Sequence, residues 1–216
     1  MTSLKGIYLV TSGERLGEET FLSILRKALE GGVSLVQLRE KQCSSREFLR
    51  RGKNVKKLLD SYEVPLIIND RVDIALALGA SGVHLGQSDL PYEEARRILG
   101  PQAIIGISVE NTKQLEEASK FPGISYLGIS AVFPSATKSD TPHIWGLSGL
   151  REARKSTKLP LVAIGGVGEE NAKEVFQAGA DMIALVSAIM ESQNPKKTVQ
   201  NLKSLYCQAF GKAVEA

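Results

Sequence analysis

The sequence predicts a single (β/α)8 barrel, an α/β fold, on three observations. Eight short apolar, β-branched runs recur along the chain, each is followed by a segment with helical spacing, and several helices hand over to the next strand within a few residues. The runs fall at residues 6–10, 34–39, 65–69, 82–85, 104–108, 126–129, 160–164 and 182–186. Each is continuous enough to be buried on both faces, as a parallel strand between a filled interior and an outer ring of helices must be. Helices are expected near 20–30, 44–62, 73–79, 91–100, 111–121, 146–157, 171–178 and 196–212, with exits at Gly31-Gly32, Gly79, Gly100 and Gly179. The phrases Ala28-Leu-Glu-Gly-Gly-Val33, Ala77-Leu-Gly-Ala-Ser-Gly-Val83 and Gln177-Ala-Gly-Ala-Asp-Met182 join helix exit to strand entry. Such short returns suit a closed barrel better than the competing doubly wound open sheet.

Composition narrows the partners. With 216 residues and 43% hydrophobic content, the chain can close one large core, so one domain over residues 1–216 is expected. The net charge of +3 arises from 27 basic and 24 acidic residues dispersed along the chain, without the like-charge block of a nucleic-acid arm. The basic stretches at 53–57 and 151–158 lie on predicted helices and read as solvated faces. Cys43 and Cys207 are too few for a disulfide framework and form no C-x-x-C pair, which fits a reducing cytoplasm. No apolar run reaches eighteen residues and no cleavage pattern follows the first one, so a cytoplasmic protein without a membrane partner is expected. Homodimerisation is left open.

In such barrels the chemistry sits at the carboxyl ends of the strands. In Gln37-Leu38-Arg39-Glu40-Lys41, after the second strand, the period of two puts Gln37, Arg39 and Lys41 on one face, toward the mouth. The alternative is a surface ion-pair ladder with Glu40. Asn69-Asp70 ends the third strand, and Asp89 follows the fourth two residues before Pro91. Either aspartate alone reads as a helix N-cap. Together, beside Arg39 and Lys41, they form a hard oxygen pair that suits Mg2+ with positions left for water and phosphate oxygens. Ser108 ends the fifth strand, where it reads equally as a substrate contact or as a cap for the helix near Asn111. The longest connection, about residues 130–145, carries Ser135, Ala136, Thr137 and Lys138, which suits a clamp on an anion. Gly165-Gly166 after the seventh strand and Val186-Ser187 after the eighth stand where barrels bind phosphate through backbone N–H groups.

One mouth thus holds a cationic, metal-assisted half and a backbone-phosphate half, which points to two phosphorylated substrates and a diphosphate leaving group. No Ser-His-Asp order, His-Glu-x-x-His, Walker loop or early G-x-G-x-x-G supports hydrolysis, zinc chemistry or dinucleotide use. His84, on an apolar strand, reads as a hydrogen-bonded core histidine rather than a base. His143 and Trp145 have no assigned role.

From Gly6 to Ser192 the chain resembles the thiamine phosphate synthase family. The matching segments are Gln37-Leu-Arg-Glu-Lys41, Asn69-Asp70, Gly86-Gln-Ser-Asp89-Leu, Gly106-Ile-Ser108, Val132-Phe-Pro through Thr137-Lys138-Ser-Asp140, Ile164-Gly-Gly-Val167 and Val186-Ser187. The resemblance implies coupling of 4-amino-5-hydroxymethyl-2-methylpyrimidine diphosphate with a thiazole phosphate, giving thiamine monophosphate and pyrophosphate. It implies that Asp70 and Asp89 bind magnesium. The segment from Gln37 through Leu38, Arg39 and Glu40 to Lys41, with Asn69, Ser108 and Lys138, would hold the pyrimidine diphosphate; Arg39, Lys41, Ser108 and Lys138 would act in catalysis. Ser135, Ala136, Thr137, Gly166, Val186 and Ser187 would hold the thiazole phosphate. The chain departs from the family's usual Gly-Pro and threonine around Val-Phe-Pro, with Ser130-Ala131 and Ser135 in their places. Two alternatives are a thiazole tautomerase, which resembles this chain but carries a histidine where Ala131 stands, and a non-catalytic regulatory barrel that retains the pocket.

Overall fold

A computed structural model describes residues 4–12, 16–134 and 143–211. All eight apolar runs are strands: β1 (Gly6–Val10), β2 (Leu35–Leu38), β3 (Leu66–Asn69), β4 (Gly82–Leu85), β5 (Ile104–Val109), β6 (Tyr126–Ser130), β7 (Leu161–Ile164) and β8 (Met182–Leu185). Each pairs in parallel with its neighbour in sequence. The pairing of β1 with β8, Gly6 opposite Met182 and Leu9 opposite Leu185, closes the ring and rules out the open sheet.

The helices are α1 (Glu18–Gly31), α2 (Ser45–Asp60), α3 (Val72–Leu78), α4 (Tyr92–Leu99), α5 (Thr112–Ser119), α6 (Gly146–Ser156), α7 (Ala172–Gln177), α8 (Ser187–Met190) and α9 (Pro195–Ala209). Helix α1 buries Phe21, Leu25, Ala28 and Leu29, the three-and-four spacing of a one-sided apolar stripe. Ser44 caps α2 by accepting from the Glu47 N–H, and Asn194 caps α9 by accepting from Lys197 with Pro195 at the first helical position. Among the described residues, the short α8, directly after β8, is the helix that apolar spacing did not single out.

Alternation along each strand sorts the core into two layers. Ile7, Leu9, Val36 and Leu38 face the helices within one large cluster, whereas Tyr8, Val10, Leu35 and Ile67 face the barrel interior with Tyr126, Val162, Met182 and Ala184. The interior is therefore filled rather than open. Two of its members are tyrosines, and their hydroxyls satisfy each other at 2.8 Å with the rings edge to face. Room for Tyr126 is made by Gly106 on β5, since a Cβ there would fall inside the phenol ring. Gly106→Ala is expected to destabilise the fold by at least about 1–3 kcal/mol through overpacking, read as a lower urea midpoint with an unchanged slope; a wild-type midpoint would contradict this packing.

Candidate active site

Residues from all eight strands and the loops after most of them surround one cavity of about 960 Å3 at the carboxyl end of the barrel. Gln37, Arg39 and Lys41 line it, as the period of two requires. Thr11 holds the end of β2 in register: its N–H donates to the Gln37 carbonyl at 2.9 Å, and its hydroxyl accepts from the Arg39 N–H at 3.1 Å. Leu38 and Glu40, expected with the same segment, turn the other way. Leu38 is buried in the strand–helix layer, and Glu40 is buried against Arg51, Oε1 to Nη1 3.1 Å, with that guanidinium lying 4.4 Å over the Phe21 ring. Their side chains face away from the mouth, so only their backbone could meet a ligand there. In place of the alternative reading, a surface ladder, Glu40 and Arg51 form a buried ion pair between β2's exit and α2.

The carboxylates of Asp70 and Asp89 both line the cavity, and neither caps a helix. Helix α3 has Arg71 at its N-cap and α4 has Pro91, each without a side-chain cap bond. Asp89 instead accepts from the Gly86 N–H at 2.7 Å, which fixes its own loop. Asp70 sits in left-handed backbone, φ +60, uncommon for a residue with a Cβ and tolerated best by Asp and Asn. Burial pushes its carboxyl above the usual range, and the Asp89 carboxyl, within hydrogen-bonding reach, adds to this; Lys41, 3.6 Å away, pulls partly back. Two hard oxygen ligands that repel each other are the donor chemistry a small divalent cation stabilises, so the pair fits Mg2+. Among the described residues no third His, Cys, Asp or Glu joins them, which leaves coordination positions to water and phosphate oxygens.

Ser108 lines the cavity too and is not a cap: Asn111 caps α5 by accepting from Gln114 at 3.0 Å. The Ser108 hydroxyl is bonded to His84 Nε2 at 2.9 Å, and His84 Nδ1 to the Tyr126 hydroxyl at 2.9 Å. Tyr126 continues to Tyr8, whose hydroxyl accepts from the Gln37 amide nitrogen at 2.7 Å. Burial raises the pKa of both phenols, so both stay protonated. His84 is the satisfied histidine expected, but it stands in the cavity wall. Sequence reading missed Tyr8, Tyr126, Gln87 and Glu110. The tyrosines left one signal: a hydroxyl inside an otherwise apolar strand needs a partner.

At β7, Gly165 and Gly166 have φ of +95 and +62, and a Cβ on either would come within 2.7 Å of Ala131 or of the Phe133–Pro134 segment. The strand-six loop is stitched over them by Val132 N–H to Ile164 O, 2.9 Å, and Phe133 N–H to Gly165 O, 3.0 Å. The chain returns at Trp145 and Gly146, which donate to the Ala131 and Val132 carbonyls. Trp145 is buried and meets His143 edge-on, so this pair anchors the end of the connection. The Ser130–Ala131 peptide is cis. Asn69 and Gly166 line the cavity, as do Val186 and Ser187, where α8 begins with backbone N–H groups that have no partner within the helix. Ser135, Ala136, Thr137 and Lys138 lie outside the described residues.

With this geometry in place, the family model for thiamine monophosphate synthase matches residues 7–189. The chain belongs to this family. A thiamine-phosphate synthase of Vibrio parahaemolyticus is 49% identical over 199 residues, covering 92% of this chain and 97% of the relative. One of Leptospira biflexa is 48% identical over 206 residues, covering 94% and 98%. A solved thiamine phosphate pyrophosphorylase from Pyrococcus furiosus superimposes with a TM-score of 0.86 at 37% identity, covering 97% of this chain and 99% of its own. As a member of the thiamine monophosphate synthase family the chain is an enzyme, a transferase. Among the described residues no helix is long and apolar enough to cross a membrane.

Two substitutions check this geometry. Arg51→Ala removes the guanidinium from the buried Glu40 carboxylate and is expected to cost about 3–5 kcal/mol in urea unfolding, most of it recovered in Glu40→Leu/Arg51→Met; a loss below about 1 kcal/mol would match a surface pair instead. Because Asp70's folded pKa is raised, its stabilising contribution is complete below its unfolded value of about 3.9 and is lost as pH rises through the folded value. At neutral pH, above the unfolded value, the group therefore destabilises the metal-free protein. Asp70→Asn is expected to raise the metal-free urea midpoint at pH 7 and to abolish its upward shift with magnesium. A lower midpoint, or a magnesium shift that persists, would contradict the carboxylate-pair reading.

Proposed function

We propose that this enzyme couples 4-amino-5-hydroxymethyl-2-methylpyrimidine diphosphate with a thiazole phosphate, giving thiamine monophosphate and pyrophosphate, with carbon dioxide also released when the thiazole is carboxylated. The observation that carries the reading is one mouth with two different anion environments. After β2, β3 and β4 stand Arg39, Lys41 and the Asp70–Asp89 pair; after β7 and β8 stand Gly166, Val186 and Ser187 with backbone N–H groups. The names of the relatives agree with it: the Vibrio protein, nearly half identical, is a thiamine-phosphate synthase.

Magnesium held by Asp70 and Asp89 would neutralise charge on the diphosphate. Gln37, Asn69 and Ser108 orient the pyrimidine, while Arg39, Lys41 and Lys138 hold diphosphate oxygens. The C–O bond breaks heterolytically, its electron pair leaves with pyrophosphate, and the aminopyrimidine ring delocalises the resulting methylene cation. Ser135, Ala136, Thr137, Gly166, Val186 and Ser187 hold the thiazole phosphate so that the ring nitrogen attacks that carbon. No side chain acts as nucleophile; the protein contributes position and fixed charge. Ala131 supplies no titratable group at the position where the tautomerase alternative needs a histidine. The reaction is assigned to the cytoplasm, in keeping with the sparse cysteine content.

The test is thiamine monophosphate formation by the purified protein from the two substrates, with and without magnesium. Equimolar product and pyrophosphate, lost on chelation, are expected; no product with either form of the thiazole would sink the reading. Lys138→Ala is expected to lower kcat by about 10²–10³ while changing the KM for thiazole phosphate by less than about threefold. Equal effects on both constants would remove Lys138 from the leaving-group half.

A further inference from the structure

Five side chains form one hydrogen-bonded chain across the barrel, and both of its ends lie in the cavity wall. It runs from Gln37 on β2 to Tyr8 on β1, Tyr126 on β6, His84 on β4 and Ser108 on β5, with steps of 2.7, 2.8, 2.9 and 2.9 Å. Tyr8 and Tyr126 are buried, and Tyr126 does not line the cavity at all. Its neighbours make room for it: Gly106 leaves space for the phenol, and a Cβ on Gly128 would press on the His84 ring at 3.2 Å. Tyr126 and His84 stack with their planes 20° apart.

A tyrosine hydroxyl has one proton, so the direction of the first bond propagates along the chain. Gln37 donates through its amide nitrogen, so the Tyr8 oxygen accepts; with no buried hydroxyl proton left unsatisfied, Tyr8 donates onward to Tyr126. Tyr126 then gives its proton to His84 Nδ1, which must be a bare acceptor. The ring proton is thereby placed on Nε2 and donated to the Ser108 oxygen. Gln37 retains its carbonyl oxygen, an acceptor, and Ser108 retains its hydroxyl proton, a donor. Gln37 also keeps its second amide proton and Ser108 a second lone pair, but the direction of the chain decides which further group each end can offer. Reversing the amide would reverse every bond and exchange the two ends, so they cannot be chosen independently.

We propose that this chain is a positioning device that fixes the donor and acceptor polarity of the pocket, holding His84 as the Nε2–H tautomer so that Gln37 offers an acceptor while Ser108 offers a donor. The ligand chemistry it selects is a flat heterocycle with an exocyclic amine and an unprotonated ring nitrogen. That identification rests on the proposed reaction, whose aminopyrimidine has both groups; the tautomer does not. Tyr8, Tyr126 and His84 act through the two end residues.

The chain has two histidines, so ring-nitrogen NMR of the protein labelled with 15N-histidine resolves His84 once His143→Gln assigns the other signal. An unprotonated Nδ1 and a protonated Nε2 are expected for His84 in the ligand-free wild type; an Nδ1–H tautomer or an imidazolium at neutral pH overturns the proposal, whatever the enzyme's reaction. A second arm measures Kd for the pyrimidine diphosphate with magnesium in wild type, Tyr126→Phe, Ser108→Ala and the double variant. Each single change is expected to weaken binding about tenfold, and the double variant no more than either one, since Tyr126 acts through Ser108. Losses that multiply to about a hundredfold would show Tyr126 to be structural only and overturn the device. A wild type with the Nε2–H tautomer but no affinity for the pyrimidine diphosphate would refute the reaction and leave the polarity standing.

Discussion

A strand in a closed parallel barrel has one face for the interior and one for the helices, and this parity decides which side chains can reach a ligand above the ring. Gln37, Arg39 and Lys41 share one parity and line the mouth, while Leu38 and Glu40 share the other and are consumed by packing and by Arg51. The same parity places Tyr8 and Tyr126 inside the ring, where nothing but another side chain can satisfy a hydroxyl. The hydrogen-bonded path from Gln37 to Ser108 follows from that confinement. Small residues answer it on adjacent strands, Gly106 beneath the Tyr126 ring and Gly128 beside His84.

The barrel was legible in the sequence because its strands are buried on both faces and its helices on one, so the two periods alternate without interruption. Even the Gly6 to Val10 run, the first in the chain, has the bounds that its apolar residues indicate. Helix α8 escaped notice because four residues are too few to show a 3.6-residue period. The mouth residues were legible by position, and three ambiguous ones needed the fold: Asp70, Asp89 and Ser108 have the composition of caps, and only the observed caps Arg71, Pro91 and Asn111 free them for the cavity. The interior chain was not legible. Tyr8, His84 and Tyr126 are separated by tens of residues, and their meeting depends on the order in which the ring closes.

Charge divides the mouth into two halves. Around Asp70 the elements that would hold a cation also repel one another without it, so a site suited to magnesium is a locally unfavourable one in the metal-free protein. Around Gly165 and Gly166 there is no such tension. Positive φ and the close passage of Ala131 and Phe133 exclude side chains, leaving backbone groups to face the cavity at no cost in charge. One half thus carries the oxygen donors that suit a metal, and the other presents backbone groups.

The central claim, that these halves are separate sites for two phosphorylated groups, is tested most directly by calorimetric titration of pyrophosphate and of thiazole phosphate with and without magnesium. Pyrophosphate is expected to bind only with magnesium, thiazole phosphate with or without it, and each in the presence of saturating amounts of the other. Mutual exclusion of the two ligands, or a magnesium requirement for thiazole phosphate, would contradict that claim.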